Sequence, residues 1–354
     1  FRLKLKVEFP NDASAIDRYF DLVREVSSQA RLYFALRSLP HWTDRLATRF
    51  IPARSKWWSR TTSSVLNSLT SNQKLQTVLA GQWGYYGSTP KNSSFPFHAL
   101  TVRHFYNGGY YPAGGSGSIA RGMLSTVMKA GGQTLVRASD QEILFQKRKA
   151  YGIKFESGQI IEAPVIISAI GAKATVKRLI PESASSVAQS WIREINSLGQ
   201  SPSHICLHLG FEGDIVSAGG TRSNQWFFEN WDTEMGEWNV EDRTTEADVL
   251  YLSFPTLKDP KHEPGVRQCH TGEVVTFVPW ESFRKWEGTR RGKREKDYME
   301  FKRSIEDRML KQLKRKMPAL MNLVKYHELS TPYSTTHFTR AHQGAIYGLE
   351  AMPR

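Results

Sequence analysis

The residues best able to do chemistry in this 354-residue chain gather around one glycine-rich turn. In "YYPAGGSGSIARGMLSTVMKAGGQTL", Gly115, Gly117 and Ala120 spell G-x-G-x-x-A. An apolar helix follows, and Asp140 and Glu142 lie roughly 20 residues on, the spacing of a loop that cradles a pyrophosphate. Such a loop needs a buried strand before it, so that the sheet aims the helix N-terminus at phosphate. The residues before it are "HFYNGGYYPA", broken by Asn107, Gly108 and Gly109, with Pro112 where a ladder N–H is wanted. The dinucleotide reading is therefore the weaker one. Gly114 and Gly115 still clear side chains from a place where backbone could approach a flat, bulky group. The helix from Ser116 would turn its positive end there. A tight loop-to-helix joint with no ligand is the plain alternative.

Other polar groups offer less. His204 and His208 stand four apart in a strand, which would put their rings ~13 Å apart, too far to share a metal. Cys206 falls on the same face and reads as core. His337 and His342 have no carboxylate or cysteine companions at metal spacing, and no Ser/His/Asp order stands out, so no metal site is expected.

The elements that must position these residues can be read from periodicity. Asn11 or Asp12 is a plausible cap for a helix with Ile16, Tyr19, Phe20, Val23 and Val26 on one stripe, ended by Pro40. "TTSSVLNSLTSNQKLQTVLAGQWGYYG" reads as two short helices breaking at Gly81 and Gly84. "QEILFQ", "AYGIKFES" and "GQIIEA" read as strands of a meander turning at Ser157 and Gly158. "PVIISAIG" predicts a strand buried on both faces, ended by Gly171. "HICLHLGFEG", "DVLYLSFPT" and "GEVVTFVPW" alternate as further strands. A helix from Asp297 carries Tyr298, Phe301, Ile305, Met309 and Leu313, with Pro318 beyond it. "STPYSTTHFTRAHQGAIYG" reads as a loop.

Length exceeds one typical core, so two domains or a two-lobed enzyme is expected, and the composition is globular. Cys206 and Cys269 fit a reducing compartment or simple burial. No segment approaches the ~20 apolar residues needed to span a bilayer, and no signal peptide is seen. Phe1 in place of methionine reads as a piece of a longer protein. Of the net charge of +14, residues 284–316 carry +8, with fourteen Lys/Arg against six Asp/Glu. That segment is a solvated helix face or a patch for an anionic partner. In "RFIPARSKWWSR", Trp57 and Trp58 beside Arg54, Lys56 and Arg60 suit a membrane interface or a buried loop with its cations at the rim.

"WGYYGSTPKNSSFPFHALTVRHFYNGGYYPAGGSGSIARGMLSTVMKAGG" and "EAPVIISAIGA" resemble the flavoprotein family of carotenoid desaturases, carotenoid isomerases and retinol saturases, the phytoene desaturase-like proteins. "SFPTLKDPKHEP", "PWESFRKWEGTRRGKREKDYMEFKRS" and "STPYSTTHFTRAHQGAIYG" extend the likeness to the retinol saturase branch over nearly the whole chain. The resemblance implies an α/β fold with an α+β substrate lobe. Its core is a discontinuous FAD/NAD(P)-binding Rossmann-like domain of glutathione-reductase or amine-oxidase type, incomplete here, with an inserted substrate-binding domain. Residues 1–97 would be the helical part of the substrate domain and 98–182 the middle FAD segment. Residues 183–335 would carry the substrate domain's mixed sheet and basic helix, and 336–354 would return to the flavin. The family's opening G-x-G-x-x-G and its closing glycine-rich flavin segment are not in this sequence, so the chain alone is expected not to retain FAD.

Carried over residue by residue, Gly114, Gly115 and Ser116 would lie beside the isoalloxazine. Asp140 replaces the valine of the family's V-x-x-I, whose main chain meets the adenine, and an apolar wall is lost with that change. Ser168, Ala169 and Gly171 would cross under the cofactor, and Gly344 and Gly348 would return to it. Tyr85, Tyr86 and Gly87 would line the substrate tunnel. The implied activity moves a hydride between FAD N5 and a carbon–carbon bond of a retinoid or carotenoid, with NAD(P) as a candidate electron source. Tyr347, then His342, are the candidate proton donors; Tyr347 as mere packing is the alternative. The implied setting is peripheral on the reducing side of a membrane, with a polyene substrate and no nucleic acid. The competing reading is a non-catalytic basic protein docking on membrane or nucleic acid, or an inactive flavoprotein fragment.

Overall fold

The computed structural model describes residues 1–37, 57–147, 149–184, 186–232, 236–290 and 292–353. The chain divides into one unit of Phe1–Gly109, Phe228–Gly236 and Glu350–Arg354, and another of Tyr110–Phe227 and Glu237–Leu349.

The first unit is helical: α1 (Arg2–Glu8), α2 (Ala13–Arg37), α3 (Thr62–Leu69), α4 (Gln73–Ala80) and α5 (Phe95–His104). The stripe Ile16, Tyr19, Phe20, Val23 and Val26 is buried against Leu66, Leu75, Leu79 and Phe95. Asp12 lies in a 3-10 turn before α2. Its carboxylate accepts from Thr70 Oγ1 at 2.5 Å and Asn72 Nδ2 at 2.8 Å, pinning the start of α2 to the α3–α4 turn. Pro40, Arg54 and Lys56 lie outside the described residues. The two short helices form as expected. Thr61 Oγ1 caps α3 through Ser64 N–H, and Asn72 Oδ1 caps α4 through Leu75 N–H.

Trp57 does not offer itself to a membrane. It is 7% exposed and packs in the helical core, with the Arg60 guanidinium 5.7 Å from its ring. Burying so large an apolar ring outweighs leaving it at a surface. Trp58 donates from Nε1 to Gln29 Oε1 at 3.0 Å.

A polar network runs through this core. Tyr19 donates its hydroxyl proton to the Leu79 carbonyl and so accepts from His98 Nε2–H at 2.8 Å. Tyr86 donates to His98 Nδ1 at 3.0 Å. Both ring nitrogens of a fully buried histidine are thus satisfied.

The second unit holds two sheets. Strands β1 (Asp140–Gln146), β2 (Lys149–Phe155) and β3 (Ile160–Glu162) form the expected antiparallel meander, with Ile153 opposite both Ile143 and Ile161. Strands β4 (Ser203–Glu212), β5 (Gln225–Phe228), β6 (Val249–Ser253), β7 (Cys269–Val278) and β8 (Val324–Ser330) form the other, in the order β5-β6-β7-β4-β8. Alternation puts Ile205, Leu207, Leu209 and Phe211 on the core face of β4. His204, Cys206 and His208 fall on the other. Burial pushes the Cys206 thiol up to about 12, with Glu273 adding to it, so it stays protonated.

The same unit carries helices α6 (Gly117–Lys129), α7 (Ala172–Arg178), α8 (Ser186–Ser197) and α9 (Lys296–Lys316). Tyr298, Ile305, Met309 and Leu313 bury one stripe of α9 in the sheet's core. The opposite face is only partly free. Arg308 donates to the carbonyls of Val240, Asp242 and Thr245 and lies 4.5 Å from the Trp238 ring. Arg315 pairs with Glu246.

Two expectations fail here. "PVIISAIG" is not a strand among the described residues: its backbone joins no ladder, and Val165 and Ile167 are 72% and 86% exposed. An apolar run is read as a doubly buried strand only when neighbours cover both faces, and here none do. "STPYSTTHFT" is not a loop but α10 (Pro332–Thr339). Thr331 and Ser334 form a capping box there, and Pro332 occupies the first turn, where its missing N–H costs nothing. Hydroxyl-rich composition hid a capped helix.

Burial also lowers the His98 pKa from 6.5 to about 4, opposed in part by the Leu79 carbonyl. Below pH 6.5 the unfolded chain binds a proton that the native state refuses down to about pH 4, so stability is full above that window and falls within it. Between pH 7.5 and pH 5 the wild type should lose about 2 kcal/mol more than His98→Gln. Denaturant titrations at both pH values check this; equal losses would place the titration elsewhere.

Candidate active site

The start of β4 holds the chain's C-terminal return in place. Ile346 N–H donates to the Pro202 carbonyl at 3.0 Å, and Ser201 N–H donates to the Gly348 carbonyl at 2.9 Å. Tyr347 N–H donates to Ser201 Oγ at 3.0 Å, and Ser203 Oγ donates to the Gln343 carbonyl at 2.6 Å. Gln200 Nε2 reaches the His342 carbonyl at 3.0 Å. On the other side, Ser168 Oγ and Thr175 Oγ1 are 2.7 Å apart, and Thr175 N–H and Oγ1 both bond the Gly171 carbonyl. These two backbone stretches wall a cleft of about 520 Å3, with Ala169, Gly171, Lys173, Gln200, His204, His342, Tyr347 and Gly348 in its lining. Five predicted site residues from two distant stretches thus meet in one place.

The glycines of these two stretches differ in kind. A Cβ on Gly344 would stand 2.6–2.7 Å from Pro332 atoms, backbone included, so this glycine serves packing. Gly171 and Gly348 have positive φ and nothing within 4 Å of an added Cβ. Their open faces leave room for a planar group to approach the main chain. His204 also fits a site awaiting a partner. Its Nε2 is 3.4 Å from Thr335 Oγ1, while Nδ1 makes no hydrogen bond of acceptable geometry. Burial holds its pKa below the ordinary value, and the Gly344 carbonyl opposes that.

His342 is neutral in this setting. Burial, then the Lys177 and Lys173 charges, take its pKa down to about 4, and Lys177 Nζ lies 2.9 Å from its Nε2, which accepts. An imidazole without its second proton is a poor acid at neutral pH. Tyr347 is 48% exposed at the cleft wall. Lys173, Lys177 and Gln200 had no motif to announce them; tertiary packing alone brings them to His342.

The double glycine is placed otherwise. Ser116 is the N-cap residue of α6, and Gly114 and Gly115 precede it at φ +85 and +76. Gly114 N–H already donates to Asp259 Oδ1 at 2.8 Å. That carboxylate sits below its ordinary range because the Gly114 and Lys261 N–H groups hold it. A 3-10 turn and irregular chain precede the glycines. Neither glycine lines the cleft among the described residues. Asp140 opens β1, its backbone opposite Phe155. Ile143 lines an apolar hollow of about 590 Å3 that shares Ala169 and Gly171 with the cleft and also takes in Ser168 and Trp191. Tyr85, Tyr86 and Gly87 belong to the helical unit. Tyr85 stacks on Phe105 with centroids 5.1 Å apart, and Tyr86 is buried on His98.

No family model matches the chain. It is 30% identical over 369 residues to all-trans-retinol 13,14-reductase of Danio rerio, covering 99% of this chain and 60% of that protein. It is 26% identical over 265 residues to prolycopene isomerase 2, chloroplastic, of an Oncidium hybrid cultivar, covering 72% and 40%. In structure it matches an oxidoreductase from Methanosarcina mazei at TM-score 0.55 and 16% identity, over 90% of this chain and 72% of the other. It matches a putrescine oxidase A394C mutant at TM-score 0.57 and 11% identity, over 97% and 65%. The fold is therefore the mixed helix-and-sheet fold of these two solved structures. The chain spans about 60% of the length of the retinol reductase it matches.

Stability should separate the two kinds of glycine. Gly115→Ala meets only the cost of positive φ, about 1 kcal/mol. Gly344→Ala adds overpacking against Pro332, a further 1–3 kcal/mol or so. Chemical denaturation reads both, and equal losses would refute the distinction.

Proposed function

We propose that this chain, a homologue of all-trans-retinol 13,14-reductases and prolycopene isomerases, forms the substrate-handling body and part of the flavin site of an oxidoreductase acting on polyene double bonds. The observation that carries this reading is the cleft that brings Ala169 and Gly171 against Tyr347 and Gly348. FAD, when bound, supplies the hydride chemistry. The open backbone at Gly171 and Gly348 would flank its ring, and the apolar hollow beside Ile143 would extend the site. A polyene offers no charge to grip, so apolar walls must place one bond against the reacting atom. Tyr347 is the group we assign to hand over the proton, since His342 is held neutral by burial and Lys177.

The apolar residues of α6 support a longer whole: Ile119, Met123 and Val127 stand exposed on one line, and Ile167 is exposed as well. Covering these residues is a role we assign to the part of the longer relatives that this chain does not span. Peripheral contact with lipid belongs to the proposal, because an apolar substrate is delivered from lipid. Among the described residues no helix is long and apolar enough to cross a membrane. Exposed Leu3 and Val7 beside Lys4 on α1 suit such contact better than buried Trp57. The free thiols of Cys206 and Cys269 support a reducing compartment.

Retinol turnover with FAD and a chemical reductant tests the assignment in the flavin-loaded full-length protein. Tyr347→Phe should lower the saturated rate ~100-fold or more while flavin content stays unchanged. An unchanged rate would leave Tyr347 a packing residue.

A further inference from the structure

The basic segment 284–316 takes no part in the cleft, yet its first third lines a second recess in the same unit. This recess measures about 1040 Å3, large enough for a nucleotide. Arg178, Arg290, Arg294 and Arg340 all reach its wall, with Glu156 and Glu287 the carboxylates there. None of the four guanidiniums makes an ion pair among the described residues. Gathering like charges is unfavourable unless an anion joins them, and guanidinium forks match phosphate oxygens.

The wall is also built. Arg294 is fixed by Nε donating to Thr289 Oγ1 at 3.1 Å and by the Tyr298 and Tyr333 rings at 4.9 and 4.6 Å. Arg340 Nη2 donates to Ser139 Oγ at 3.3 Å. Trp280, only 8% exposed, lines the recess with its Nε1–H unpartnered, and Thr336 Oγ1 on the same wall is unpartnered too. Both atoms lie beneath the surface of the wall, so the groups that face the recess with charge are the arginines. Ala341 and His342 line both this recess and the cleft, so the two are neighbours.

We propose that the recess binds the phosphates of a soluble nucleotide. The phosphate site stands on the arginines alone. The choice of a nicotinamide nucleotide as probe rests on the flavin reading, for which a reductant held beside the cleft has a use.

Equilibrium dialysis of the full chain with NADPH tests this, with inorganic pyrophosphate as competitor and phosphatidylglycerol vesicles as a separate arm. NADPH should bind saturably and be displaced by pyrophosphate. Arg178→Gln with Arg290→Gln should weaken it at least about tenfold, since charge-assisted hydrogen bonds are lost. Both side chains are exposed, so the melting temperature should not move. No saturable binding, or binding equal in the double variant, would overturn the proposal. Vesicle binding lost in the double variant without any nucleotide binding would overturn it in favour of a lipid headgroup. Flavin content, measured separately, tells failure here from failure of the flavin reading.

Discussion

The hydrogen bonds between the start of β4 and the returning chain are what the rest of the candidate site depends on. Residues 200–203 accept and donate along the backbone of 342–349, so a strand buried in the sheet's core fixes where the C-terminal stretch runs. Without that tether Tyr347 and Gly348 would have no defined relation to Gly171. The tether is strong because its anchor cannot move. β4 is an interior strand of its sheet, paired on both sides, with Ile205 and Leu207 fully buried. Gly344 completes the turn into it, packed so closely on Pro332 that only hydrogen fits. A site built on a rigid strand is held more tightly than one built on loops alone.

Electrostatics divides the unit's cations by use. Arg308 and Arg315 are structural, spent on the carbonyls and carboxylate of the 238–246 loop. Burial keeps His342 unprotonated, and Lys177 and Lys173 add to that. The arginines of the neighbouring recess remain without carboxylate partners among the described residues. A high net charge read from composition thus conceals three separate jobs, and only the third asks for an outside anion.

Much of this was legible in the sequence, and the reasons are physical. Period-two alternation identified β4, β6 and β7, and the stripe of Tyr298, Ile305, Met309 and Leu313 identified α9, because each element buries one face. "PVIISAIG" misled because burial is a property of neighbours, and a run of branched residues states only a capacity to be buried. "STPYSTTHFT" misled in the opposite direction: its hydroxyls cap a helix, and a short helix with little apolar periodicity reads as a loop. Of the candidate site, Ala169, Gly171, Tyr347 and Gly348 were nameable through family likeness. Gln200, Lys173 and Lys177 were not, since nothing local marks a residue whose role arises from packing. Gly114 shows the limit of motif reading. Its N–H faces a carboxylate from Asp259, 145 residues away, which no local pattern reveals.

The central claim is that the cleft between 169–171 and 347–348 takes a flavin ring. Titrating lumiflavin, the ring without its phosphate chain, into the full chain tests it without reliance on any dinucleotide cradle. The account predicts saturable binding, with flavin fluorescence quenched by the Tyr347 phenol, and loss of both on Gly348→Val, whose side chain would fill the open face. Saturable quenching that is the same in wild type and Gly348→Val, or no binding by the folded wild type, would contradict it.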